Sequence, residues 1–270
     1  MKLIYLFMIL ILTVFFHPYQ KDTIFTCTTY FDYEKEDKWK PFCKGMDSIL
    51  EHHDRSTLNR IGTWLIVNEY SDQVKADWAH QINQRYPFMT FIQKTKEEKG
   101  QAHSLNFLLQ HIHSYTYWIQ WEEAWFTEKE CLTRAFSIME CTDITQLQMT
   151  SLNDRPDWLD KVSNSHHVEC NESYCRIHYS PRSLQMILDW SVEHIYEYPN
   201  WGDSWPLYSL RPSINRVSFY TIGSFRTEPE LWPVKFEWEF GRRWIQQGAK
   251  KGVLPDGPVI RSKTHKSTYN

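Results

Sequence analysis

Glycine is scarce in this chain, 9 of 270 residues, and the glycine-built phosphate cradles are missing with it. There is no GxGxxG fingerprint and no Gly-Lys-[Ser/Thr] P-loop, which excludes the two commonest backbone devices for holding a phosphate. No GxSxG nucleophile elbow and no HExxH pair occur, so neither serine-hydrolase nor zincin chemistry is indicated. None of the six cysteines sits in a CxxC pair, and zinc-ligand spacing is absent. Charge of one sign is lacking too. A net charge of -3 offers no basic excess, and no nucleic-acid partner is expected. The chain has no internal repeat and no low-complexity tract.

What remains is an ordinary globular composition, 41% apolar and 23% charged, with an unusual 16% aromatic content. Flat aromatic faces suit sugar rings and nucleobases, although core filling is the commoner use. Met1-Lys2 precedes an apolar stretch from Leu3 to Phe16 that is broken only by Thr13. One positive charge before such a stretch suits a signal anchor or a signal peptide over residues 1–18. Phe15-Phe16-His17-Pro18 is a poor cleavage site, which favours an uncleaved anchor in a membrane with residues 19–270 as one lumenal domain. The stretch is nevertheless shorter than the about 20 apolar residues of a full span. Cys27, Cys43, Cys131 and Cys141 lie among apolar residues and read as buried thiols. Cys170 and Cys175 flank a polar segment that a disulfide can close. That segment holds the one acceptor sequon for N-glycosylation, Asn171-Glu172-Ser173.

From Thr23 the pattern alternates strand and helix. Strands are expected over Thr23–Tyr30, Thr63–Val67, Phe88–Gln93 and Tyr115–Trp121, with helices over 42–52, 74–86 and 101–111 between them. This alternation predicts an α/β domain with a mostly parallel sheet flanked by helices. Beyond Trp125, helices are expected over 128–138, 181–196 and 233–247, and a strand over 146–151. Residues 153–175 and 198–215 read as loops, and the tail from Lys250 as basic and extended.

The chemistry concentrates at the C-terminal ends of these strands, where open α/β sheets bind ligands. The fourth strand delivers the acidic pair Glu122-Glu123 to that edge. Carboxylates there can hold a divalent cation and, through it, a diphosphate. The second strand runs into Asn68-Glu69-Tyr70-Ser71-Asp72, and Lys99-Gly100-Gln101-Ala102-His103-Ser104-Leu105-Asn106 opens the helix before the acidic pair. A late helix carries Phe236-Glu237-Trp238-Glu239-Phe240-Gly241-Arg242-Arg243-Trp244, and Thr264-His265-Lys266-Ser267 lies near the end of the chain.

In this order the motifs resemble the GT-A glycosyltransferases, the inverting family-2-like group in particular, over roughly Thr23 to Asn270. The resemblance implies a Rossmann-like GT-A fold and transfer of a sugar from a nucleotide-sugar donor to a hydroxyl acceptor on a glycan, glycoprotein or glycolipid. It casts Glu69 as the acid that reads the donor base, with Thr28, Thr29, Lys99, Asn106 and Glu122 as further donor contacts. Glu122, Glu123 and His265 take the places of ligands to Mn²⁺ or Mg²⁺. Ala124 stands where the family's metal motif has a second acid. Glu237 takes the position of the catalytic base, with Glu239 competing for it, and Trp201, Asp203 and Trp205 suit an acceptor wall. Each residue has a plainer reading: a solvated strand end for Glu122-Glu123, a charged turn for Lys99, a first-turn helix acid for Glu237, loop anchors for the tryptophans. The alanine leaves open a GT-A-like protein that binds nucleotide or glycan without turnover. A metal-independent transferase using Arg261 or Lys263 is the other alternative.

Overall fold

Seven consecutive β-favouring residues, TIFTCTT, form strand β1 (Thr23–Thr29), buried everywhere except at Thr28. Burial on both faces is what a central parallel strand requires. Its parallel neighbours are β2 (Ile61–Asn68) and β4 (Tyr117–Glu122), and β3 (Met89–Gln93) adds to the far side of β2. The crossovers carry helices α1 (Glu36–His52), α2 (Arg55–Asn59), α3 (Trp78–Arg85) and α4 (Gln101–Ile112). The computed structural model describes residues 21–31, 36–69, 78–150, 166–189, 208–228 and 235–262. The expected anchor at 1–18 lies outside these residues. Among the described residues no helix is long and apolar enough to cross a membrane.

The second half supplies β5 (Trp125–Thr127), α5 (Leu132–Cys141), β6 (Gln146–Gln148), β7 (His166–Cys170), β8 (Cys175–Tyr179), α6 (Pro181–Asp189), β9 (Ser213–Arg216), α7 (Lys235–Gln246), β10 (Lys251–Val253) and β11 (Val259–Arg261). The main sheet runs β3-β2-β1-β4-β9-β6-β10-β8-β7, and β11 pairs with β5 in a separate ribbon. It is therefore mixed. The four strands from β3 to β4 are parallel, as the alternation predicts, and β9 then inserts antiparallel between β4 and β6.

Three expectations need correction. The segment read as a loop over 198–215 ends in β9, an inner strand too short to show a period. Its polar residues are tolerated because they are answered: Asn215 donates to the Trp118 carbonyl (3.1 Å) and accepts from Gln146 (2.9 Å) and Tyr220 (2.6 Å). The polar stretch 153–175 contains β7, an edge strand whose exposed His167 and Glu169 need no apolar alternation. The described part of the tail from Lys250 is extended, as expected, and β10 within it is an inner strand with Lys251 fully buried. Among the cysteines, Cys27, Cys43 and Cys131 are buried thiols and Cys170 bonds Cys175, but Cys141, at the solvent end of α5, is exposed.

One apolar layer joins α1, α3 and α5 to the sheet through Phe42, Met46, Ile82 and Phe136, and the opposite layer joins α4 and α7 through Leu105, Leu108, Phe240 and Trp244. Phe225 stacks on Phe240 at 3.8 Å between centroids, which ties the segment before α7 to that helix. On the first layer, α1 approaches β5 so closely that a Cβ at Gly45 would fall on the Trp125 carbonyl oxygen.

Candidate functional site

The parallel register sets Thr28 beside Val67 on one side and Glu122 on the other. The candidate residues at the ends of β1, β2 and β4 therefore share one sheet edge. Thr28 is half-buried there, while Thr29 turns inward and donates to Asn68 Oδ1 (2.9 Å).

Glu69 follows β2 and is buried, but its carboxylate is already engaged. Oε2 accepts from Lys94 Nζ (2.9 Å) and the Gly100 amide (3.2 Å), and Oε1 accepts from Ser104 Oγ. Gly100 reaches it from a left-handed φ of 113° at the head of α4, a conformation that favours glycine. Lys94 Nζ also donates to the Gly100 carbonyl (2.9 Å) and Ser104 (2.6 Å), and burial pulls its pKa down against the pull of Glu69. Lys94 escaped the sequence reading because it opens the charged run ending at Lys99. Its signal is the strand β3 immediately before it. Lys99 itself is exposed. Asn106 binds backbone instead, donating to the Phe225 carbonyl (2.8 Å) and accepting from its amide (2.6 Å).

A different cluster forms where β4 ends. Glu122 is half-buried and accepts from Trp125 Nε1 (3.1 Å), and Glu123 beside it is buried. Glu237, on the first turn of α7, is half-buried and accepts the Leu210 amide at Oε1 (3.1 Å). Desolvation pushes Glu122 up to about 7, with the Glu123 charge adding to it. Desolvation also pushes Glu237 up to about 7, against the Leu210 amide and with the Glu122 charge reinforcing it. Glu122 and Glu237 thus lie within electrostatic reach of one another, although 115 positions separate them in sequence (237 minus 122). Arg211 acts on both in the opposite sense, Arg261 on Glu122 and Lys251 on Glu237. Glu239, the competitor for the base, is tied to Arg243 at 2.8 Å one helical turn on.

The carboxylate of Glu237 is held by a suspended peptide. Gln120 Nε2 donates to the Leu210 carbonyl (2.7 Å), and Gln146 brackets Ser209, donating to its carbonyl (2.9 Å) and accepting from its amide (3.2 Å). Lys251 Nζ supports Gln146 from behind at 2.6 Å. Gln120 lies two residues before Glu122, on the same face of β4, and its buried Oε1 has no hydrogen-bond partner. These polar residues were missed because each sits inside a strand, where a lone Gln or Lys carries no motif.

Trp201, Asp203, Trp205 and His265 lie outside the described residues. Among the described residues no group of three or more His, Cys, Asp or Glu is assembled for a metal. Glu122 and Glu123 are two adjacent oxygen donors whose mutual repulsion a hard divalent cation relieves, so the donor chemistry fits Mn²⁺ or Mg²⁺.

At the level of sequence no family model and no curated protein matches the chain. By structure it is similar to a mannosyltransferase from Pyrobaculum calidifontis in complex with GDP-Man and Mn²⁺, at TM-score 0.57 and 12% identity over 92% of this chain and 58% of that one. It is also similar to GalNAc-T7 with UDP, GalNAc and Mn²⁺, at 0.54 and 10% over 90% and 45%. A third likeness is to S. aureus TarS in complex with UDP-GlcNAc, at 0.56 and 14% over 92% and 60%. The chain has the GT-A fold. It spans about half to three-fifths of the length of these GT-A structures. On the GT-A frame, the edge formed by β1, β2 and β4 carries Thr28, Thr29, Glu69, Glu122 and Glu123, and α7 brings Glu237 up to that edge from the second half of the chain.

Proposed function

We propose that this chain is a glycosyltransferase that moves a sugar from a nucleotide-sugar donor to a hydroxyl of a glycan acceptor with inversion. The observation that carries the reading is the meeting of Glu122 and Glu237, each with a proton affinity raised to about 7. A base poised near neutrality can take a proton from an acceptor hydroxyl as attack proceeds. Glu237 holds Leu210 with Oε1, and no described residue bonds Oε2, which leaves that oxygen for the hydroxyl. In-line attack from the Glu237 side on a sugar whose diphosphate lies toward Glu122 inverts the anomeric carbon. A divalent cation held by Glu122, Glu123 and His265 would offset the charge of the departing diphosphate. Arg211 and Arg261 supply fixed positive charge beside the same acids. Three of the structures of like fold hold nucleotides or nucleotide sugars, two of them with Mn²⁺, which supports the donor class.

The test is a panel of GDP-mannose, UDP-GlcNAc and UDP-GalNAc, with and without Mn²⁺, read by thermal shift and by release of nucleoside diphosphate. Binding and turnover by the wild type, with binding alone in Glu237→Gln, is the expected result. Equal inertness of both, with nucleotide still bound, would establish a binding module instead. The buried Ala124 at the metal motif, whose carbonyl accepts from the Ser262 amide at 2.8 Å, favours that second reading. Turnover unchanged in EDTA would remove the cation.

A further inference from the structure

A groove of about 630 Å³ runs between α1 and the β5–β11 ribbon, lined by Lys40, Lys44, Phe126, Glu128, Arg261 and Ser262. Its charge is unbalanced, with three cations facing one carboxylate. Nearby surface cations elsewhere have acid partners: Arg85 pairs with Asp47 at 2.6 Å, Lys129 with Asp256 at 2.5 Å, and Arg134 with the same aspartate. Among the described residues, Lys40, Lys44 and Arg261 pair with no acid and belong to none of those ion pairs. Lys44 Nζ instead lies 3.4 Å from the centroid of the Phe126 ring. An aromatic ring beside ammonium groups matches an acidic sugar, whose C–H face stacks on the ring while its anionic group meets the cations. Beside the groove a second cleft of about 830 Å³ shares Lys40, Lys44, Phe126 and Glu128 and adds Glu51 and the Asp47–Arg85 pair, so an extended chain has room, with its anionic groups held at the Lys40–Lys44 end. At the groove's other end Arg261 lies opposite Trp125 in the β5–β11 ribbon, and the Trp125 indole donates to Glu122 (3.1 Å), so the groove ends beside the carboxylate cluster.

We infer that this groove is the acceptor subsite for an anionic saccharide, one carrying uronate, sulfate or phosphate groups. The inference rests on the glycosyl-transfer reading for the word acceptor, but its test is binding, which needs no turnover. The probes are a heparin-derived hexasaccharide, a galacturonate hexamer, a neutral maltohexaose and inorganic pyrophosphate, titrated calorimetrically at low and moderate salt. The acidic hexamers bind the wild type, more weakly as salt rises, and maltohexaose does not. In Lys40→Ser/Lys44→Ser/Arg261→Ser that binding weakens by about tenfold or more, the scale of three exposed charge contacts. Removing equal charge elsewhere, in Lys21→Ser/Arg55→Ser/Lys96→Ser, leaves it unchanged. Should the triple variant fail to fold, Lys40→Ser alone, an exposed helix position, gives the same direction with a smaller change. Equal loss in the control variant reduces the effect to general charge and overturns the inference, as does equal binding of maltohexaose or no binding at low salt. Pyrophosphate that competes with the hexamers and fails in Lys40→Ser/Lys44→Ser, which keeps Arg261, assigns the groove to the leaving group and overturns it too. A protein that binds the hexamers but no nucleotide sugar keeps the groove and loses the transferase.

Discussion

Two strands flanking β1 each end in acid, and the two ends are finished on opposite terms. After β2, Glu69 meets an ammonium, a hydroxyl and a backbone amide. After β4, Glu122 has a single indole donor among the described residues, and Glu237, within electrostatic reach of it, has a single amide among them. The first carboxylate is spent on holding β3 and the head of α4 together. The second pair is crowded, desolvated and under-compensated, which is the condition that raises proton affinity and invites a cation or a substrate proton. The same residue type at the same edge is structural in one place and chemically available in the other, and the number of donors around it decides which.

The sharpest way to break this contrast is Glu237→Gln. Turnover is expected to fall roughly 10²- to 10⁴-fold, the usual weight of a general base, with the melting temperature maintained. Retained turnover would move the chemistry elsewhere. Lys94→Met tests the other side: an unpaired buried Glu69 is expected to cost about 3–5 kcal/mol in urea unfolding, and adding Glu69→Gln should recover most of it. A neutral Lys94→Met would mean that Glu69 is free to serve the donor base after all. Gln120→Met is gentler. It removes the orphan Gln120 Oε1 but leaves the Leu210 carbonyl without its donor, so stability should change little, while release of the Leu210 peptide lowers turnover about tenfold. The acidic limb of the pH–rate profile should also move to higher pH, because the Leu210 amide holds the proton affinity of Glu237 down. The remaining test is of stability itself. Glu122 and Glu237 are raised from 4.5 to about 7, so the folded state binds protons more tightly than the unfolded chain. Their contribution is complete below about 4.5 and is lost as pH rises through about 7. Melting temperature measured from pH 5 to 8 should therefore decline, and Glu122→Gln should flatten the decline. A rise over that range would contradict the crowding.

The first half of the fold was legible because its signals are local. Apolar runs such as Thr63–Val67 make buried parallel strands, and crossovers of ordinary length carry helices between them. Strands β9 and β10 were hidden because three or four residues display no period, and their polar members, Asn215 and Lys251, are neutralised by Gln146 of β6, far away in sequence. Glu122 and Glu237 could be read as candidates from their places in ordered motifs. The engagement of Glu69 could not, since it depends on Lys94 folding back from the next strand and on the conformation of Gly100.

If the glycosyl-transfer reading holds, the suspended Leu210 peptide ties turnover to completion of the whole topology. Its supports come from β4, β6 and β10, and the side chain it grips from α7, so no stretch shorter than residues 120–251 contains the assembly. Contacts of such long sequence separation form late, after the loops that join them have closed. During refolding, helical circular dichroism should therefore return before turnover does, and a partly folded chain would have little means of wasting its donor on water.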